Sequence, residues 1–567
     1  MRVAMFEWFV AVGMLGMLSG AWASDVAMPQ KPQSATELGT VTLTPQIVYE
    51  YLVAEVAIQR GVWPIASEAY LKLAKDTADP RIARRALEVA LQARQGGDAR
   101  QAAELWLAKE PKSINALHAE IDLLIDSKQP MAALPYLRQM LSIHPGAAGG
   151  EFLELGNLLG ELPDKSAGDE LIRTLAADYP RLPEAHLALA QVDARNARFD
   201  LAMKELDVVD TLKPGWDLSA KLHFEVLLKT VPDAAEPFVR SYLKQHADAP
   251  EARLAYARFL LKQNRLIEAH DQFAQLVQTL PGNALMQVAS GMVSLQMNDL
   301  PAAKEAFIHA LQLNYDNPGL LELYLGQIAE ALKQDNEAGE WYLAVKPGEQ
   351  FIPAQIRYAD LLARQGKLDE ARARLHAVTT ESDLERVQLI RAEAEILHNV
   401  GQAGTAYKVL GDGLATRPDS VGLLYDHAML AETLGHLDVA ERDLRHLLVL
   451  QPNYAQALNA LGYIYADHNI HLNEAVELLR QALALSPNDA FILDSMGWAQ
   501  FRLGNLPEAE IYLNRAYSTS QDPEIAAHLG EVLWRQGKFD ATKQLWKAAL
   551  SASPDNAVLQ AAAEKFK

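Results

Sequence analysis

The chain has 567 residues, half of them hydrophobic and 22% charged, so it carries ample material for a core and is not of disordered composition. Fifty-two basic against 73 acidic side chains leave a net charge of −21, which repels phosphate backbones and anionic lipid surfaces and argues against nucleic acid as a partner. There is no cysteine, which removes disulfides, zinc–thiolate sites, thiol nucleophiles, iron–sulfur clusters and lipidated cysteine.

In chain order, Arg2 precedes an apolar run from Phe9 to Leu18, and Ala21-Trp22-Ala23 precedes Ser24 and Asp25. A basic start, an apolar middle and an A-x-A site predict a signal peptide over 1–23 and an exported product. The alternative is an uncleaved anchor, because Glu7 interrupts the apolar approach. No later run of 18 apolar residues occurs, so no transmembrane span is expected after cleavage. Residues 24–45, rich in Pro, Gln, Ser, Thr and Ala, read as a flexible linker. The basic group Arg81, Arg84 and Arg85 reads as a solvated helix face.

From about residue 46 to 567 the chain repeats itself. LDEA at 368–371, LDVA at 437–440, LNEA at 472–475 and LPEA at 506–509 share one phrase. Its last residue serves as a marker at Ala69, Ala102, Ala133, Ala167, Ala202, Ala235, Ala269, Ala303, Ala338, Ala371, Ala406, Ala440, Ala475, Ala509 and Thr542, so the mean period is about 34 residues. Four residues past every marker lies an apolar residue, such as Trp106, Phe273, Leu479 or Trp546. Twelve past it, proline occurs at 145, 214, 281, 418, 452, 487 and 554, where 27 prolines in 567 positions would give fewer than one by chance. The flanks are most degenerate around Ala167, Ala235 and Ala338.

Period and pattern resemble the tetratricopeptide repeat, two antiparallel helices in 34 residues. The clearest copy sets Leu458, Leu461, Gly462 and Tyr465 on helix A, and Ala475, Leu479 and Ala482 on helix B, with Pro487 after it. Small residues allow helix axes to approach to about 8 Å, and proline stops helix B. The resemblance implies an all-α solenoid, a right-handed superhelix of about 15 helix pairs with helix A on its concave side.

The chain has no phosphate-loop, dinucleotide-binding, H-E-x-x-H or G-x-S-x-G signature, and no segment outside the repeats is long enough for a catalytic domain. It is expected not to be an enzyme and to need no cofactor. Asp467, His468 and His471 invite a metal reading, but they fall where this repeat carries one extra residue, so a polar loop is the reading adopted. In the last four repeats, the helix-A positions that face a partner in this repeat class include Tyr425, Asn459, Tyr463, Asp494, Trp498, Phe501, Arg502, Glu531, Trp534 and Arg535. Aromatic residues beside arginine are common anchors for polypeptide, although Trp498 and Trp534 could equally pack between repeats. The lysines of a clamp for a C-terminal carboxylate are missing.

A narrower resemblance lies at the two ends. LNALGYIYAD at 458–467, ILDSMGWAQFRLGNLPEAEIYLNRAY at 492–517, DPEIAAHLGEVLWRQGK at 522–538 and, near the start, YEYLVAEVAIQRG at 49–61 with ASEAYLKLAKDTADPRIARRALEVA at 66–90 are similar to proteobacterial envelope repeat proteins of the LbcA-like type. That resemblance implies a periplasmic adaptor that binds a carboxyl-terminal processing protease and presents peptidoglycan hydrolases to it. Members of that type are anchored through a lipidated cysteine, which this chain lacks. The alternative is an assembly scaffold for an envelope secretion or outer-membrane biogenesis complex.

Overall fold

A small residue at each marker, alanine at all but Thr542, and a bulky side chain one turn later are a recipe for two helices packed closely and a third wedged against them. The computed structural model describes residues 43–160 and 165–565, and in it fifteen helix pairs follow one another, with a further helix, Ala557–Lys565, after the last. No strand occurs among the described residues. The predicted signal segment 1–23 and the predicted linker up to residue 42 lie outside them. The chain divides into two compact units, Met1–Tyr315 with eight pairs and Asp316–Lys567 with seven pairs and the end helix.

Each marker falls on the second helix of its pair or, for Ala133, on the 3-10 turn that leads into it. Ala235 and Ala338, two of the markers with degenerate flanks, are fully buried. The first pair departs from the expected register. Ala69 is only partly buried, whereas Ala66 is fully buried and Tyr70, four residues on, is in the core. Ala66 is therefore the small residue of that pair.

The marker works together with a glycine on the first helix. An added Cβ would lie 2.6 Å from the Phe307 ring at Gly291, 2.3 Å from Tyr342 at Gly326, 2.5 Å from Leu513 at Gly497 and 2.0 Å from Trp546 at Gly530, each time a side chain sixteen residues further on. Between Gly462 and Leu479 the step is seventeen. The extra residue sits in the turn, where Asn469 and His471 both adopt left-handed backbone. A neighbouring pair needs only Gly504 in that conformation to make the same connection.

The prolines end the second helices by a definite route. Lys213, Leu280, Arg417, Gln451, Ser486 and Ser553 each cap a second helix with φ between −143° and −124° and ψ between 61° and 83°. Each stands directly before a proline, whose ring forbids helical backbone to the residue preceding it. The chain leaves extended and starts the next pair.

Candidate protein-binding face

The last four first helices are Val421–Thr433, Ala455–Asp467, Ala490–Arg502 and Pro523–Arg535. Side chains at matching turns of adjacent helices meet, and this brings most of the sequence-derived candidates together. The Tyr425 ring lies 6.0 Å from that of Tyr454. Trp498 stacks on His528 at 4.2 Å and on Phe501 at 4.9 Å, with the Arg502 guanidinium 4.8 Å from its ring. Its indole N–H donates to the Asp467 carboxylate at 3.3 Å, and Arg502 donates to the Asp467 backbone carbonyl at 2.8 Å. Glu531 pairs with Lys565 of the end helix at 3.1 Å, and Trp534 meets the Phe539 ring edge-on at 4.6 Å.

Burial sorts these residues into two groups. Asp494 and Trp498 are 7% and 6% exposed, so they build the face from beneath. Tyr425, Asn459, Tyr463, Phe501, Arg502, Glu531 and Trp534 are partly buried, and Arg535 is exposed. The Asn459 amide oxygen is itself buried without a hydrogen-bond partner. Burial, then the carboxylates of Asp467, Asp494, Glu524 and Glu432, pushes the Tyr463 phenol well above its ordinary range. It therefore stays neutral, offering a ring and one hydroxyl. What this layer can do chemically is bind: it presents rings, a guanidinium and an amide.

The sequence reading missed His528 and assigned Asp467 to a different role. His528 Nδ1 lies 2.9 Å from the Asp494 carboxylate and is the partner that lets that acid be buried. Burial alone would depress the imidazole pKa; the Asp494 charge and hydrogen bond, with Asp467 and Glu524 nearby, outweigh it and raise the pKa above 6.5. A raised folded-state value means stabilisation that is full below about pH 6.5 and fades as pH climbs through the folded pKa. Amide exchange in the last two pairs is accordingly expected to accelerate from pH 6 to pH 8, after correction for intrinsic rates. His528→Gln should remove that dependence, and an unchanged pH profile in the variant would refute the assignment.

Asp467, His468 and His471 do not converge. Asp467 turns to Trp498 and Arg502, His468 lies 3.9 Å from Glu432, and His471 packs 5.1 Å from the Tyr465 ring. No group of three potential ligands is assembled among the described residues. Nor is any described helix long and apolar enough to cross a membrane.

A tetratricopeptide-repeat family model matches residues 425–490, which include Tyr425, Asn459 and Tyr463 of this face. Among solved structures, the Cut9–Hcn1 hetero-tetramer of the APC/C is 17% identical over 86% of this chain and 97% of its own, with a TM-score of 0.30. A tetratricopeptide repeat protein of Parabacteroides merdae is 14% identical over 49% of this chain and 96% of its own, with a TM-score of 0.33. In sequence, the TPR repeat-containing protein PA4667 of Pseudomonas aeruginosa is 34% identical over 491 residues, covering 85% of this chain and 82% of that relative. With helix pairs, glycine–ring contacts and an extended relative in agreement, the chain belongs to the family of tetratricopeptide-repeat proteins.

Proposed function

We propose that the chain is a non-catalytic adaptor exported to the periplasm, which holds a carboxyl-terminal processing protease and presents cell-wall hydrolases to it. The repeat family makes it a protein-interaction scaffold. The observation that carries the scaffold reading is the layer of partly exposed side chains, Tyr425, Asn459, Tyr463, Phe501, Arg502 and Trp534, laid over a packed base of Asp494, Trp498 and His528. Such a base fixes the rings before any partner arrives, so little ordering entropy is lost on binding. The signal-peptide pattern and the family-like phrases at both ends support the periplasmic form.

The experiment is affinity purification of the chain from an envelope extract, followed by mass spectrometry. Recovery of a processing protease together with a wall hydrolase is expected. Substituting Tyr463→Ala and Trp534→Ala should lower recovery of the bound partner about tenfold or more, as loss of central aromatic anchors does. Recovery of neither protein would refute the adaptor. Co-purification of a fixed multi-subunit secretion or outer-membrane complex, with no protease, would replace it with the assembly-scaffold reading.

A further inference from the structure

The first described helix, Pro45–Gln59, carries apolar side chains on two opposite faces, with Glu50 and Glu55 between them. One face, with Ala54 and Ala57, is buried in the core of the first unit. The opposite face carries Val48, Tyr49, Leu52 and Val56, and these are 42%, 62%, 54% and 43% exposed. On a helix, residues three and four apart are neighbours, so Val48, Leu52 and Val56 form one stripe with Tyr49 beside it. Solenoids ordinarily end in a helix with a polar outer face, and Ala557–Lys565 at the other terminus fits that rule, with Gln560, Glu564 and Lys565. The first helix violates it.

We infer that this stripe is covered by the same stripe of a second copy, the two helices running antiparallel about a two-fold axis through Leu52. Val48, Leu52 and Val56 are evenly spaced, so reversal places Val48 opposite Val56 of the second copy and Leu52 opposite its own equivalent. Each contact then occurs twice, as two-fold symmetry demands. The charges nearest the stripe do not oppose this pairing. Glu55 is held by the Tyr70 hydroxyl, and the reversal sets Arg60 against residue 44, a threonine. Leu43 and Ile65, also exposed, extend the apolar surface. Six half-exposed large side chains of roughly 200 Å² each present about 600 Å² per copy. Two copies would bury about 1,200 Å², the lower bound for a specific association. In sequence, the preceding segment 24–42 offers no matching apolar stripe, since Val26, Met28, Leu38 and Val41 lack helical spacing and Pro29 and Pro32 stand among them.

The test uses light scattering on the full chain and a cross-link. Wild type at micromolar concentration is expected at twice 62.4 kDa. Leu52→Lys should shift it to the single-chain mass, while Ile511→Lys, at an exposed position elsewhere, should not. Because the chain has no cysteine of its own, Leu52→Cys should oxidise to a covalent dimer and Ile511→Cys should stay single. Circular dichroism of Leu52→Lys must match wild type for the loss to count as an interface effect. A monomeric wild type up to 100 μM overturns the inference. Monomers that bind phosphatidylcholine vesicles through Leu52 would make lipid the occupant.

Discussion

Gly326→Ala is expected to cost about 2–3 kcal/mol and to lower the first unfolding transition of the second unit by several degrees, because the added methyl would stand 2.3 Å from Cε1 of the Tyr342 ring. That ring has nowhere to go. Tyr342 is fully buried, its hydroxyl donates to Glu330, and Glu330 is in turn paired with Arg364. The clash must be relieved by moving the two helices of the pair, Pro318–Ala331 and Asp335–Ala344, apart. Neighbouring pairs would follow, since each is stabilised chiefly by its neighbours. Gly404→Ala is the contrast: it lies in the helix Ala403–Thr416 with nothing within 4 Å of an added Cβ. There alanine should stabilise by up to about 1 kcal/mol. Thermal melts followed by circular dichroism distinguish the two. Equal melting temperatures for both variants would mean that the glycine–ring contacts do not set helix spacing.

The same contacts explain why so much of the fold is legible in the sequence. A solenoid writes its packing rule fifteen times, so Ala475, Leu479 and Pro487 can be recognised from their copies even where a single repeat is degenerate. The rule weakens where a pair has a neighbour on one side only, and there Ala66 had to be separated from Ala69 by burial. The binding face was less legible for a physical reason. The helix positions that face a partner are also those that touch the next first helix. Trp498 and Trp534 both fall at such positions, Trp534 in the place of Phe501 one repeat earlier, yet Trp498 is packed under His528 while Trp534 stays partly exposed. His528 lies one residue outside the expected positions, and only its distance to Asp494 reveals it. Asp467 offered the one signal that could have been used, since it falls at the same turn as Arg502 one repeat earlier.

Lowering the pH should unpick a clasp that the chain builds twice. Glu236 follows the marker Ala235, and its carboxylate accepts from Arg240 and the Tyr256 hydroxyl at 2.8 Å and from both terminal nitrogens of Arg265 at 2.7 Å. It thus ties one second helix to the whole of the next pair. Glu441 follows the marker Ala440, and Arg445, the Tyr465 hydroxyl and Glu474 rebuild the arrangement in the other unit. The Arg265 bonds, helped by those from Tyr256 and Arg240, hold the Glu236 carboxyl down at about 2 against an ordinary 4.5. A depressed folded-state value means that the stabilisation is complete above about pH 4.5 and is lost as pH falls through about 2. Over that window the loss is at most about 3 kcal/mol, and somewhat less because Glu236 is a quarter exposed. Glu236→Gln should therefore lose about 2 kcal/mol at pH 7, as breaking a partly buried charge network does, and should flatten the acid limb of a urea-denaturation series. Glu441→Gln should act likewise on the second unit, where His471 stands at the helix N-cap that Arg265 holds in the first clasp, so a smaller loss is expected. If Glu236→Gln followed wild type at every pH between 2 and 7, the clasp would be a contact without a contribution to stability.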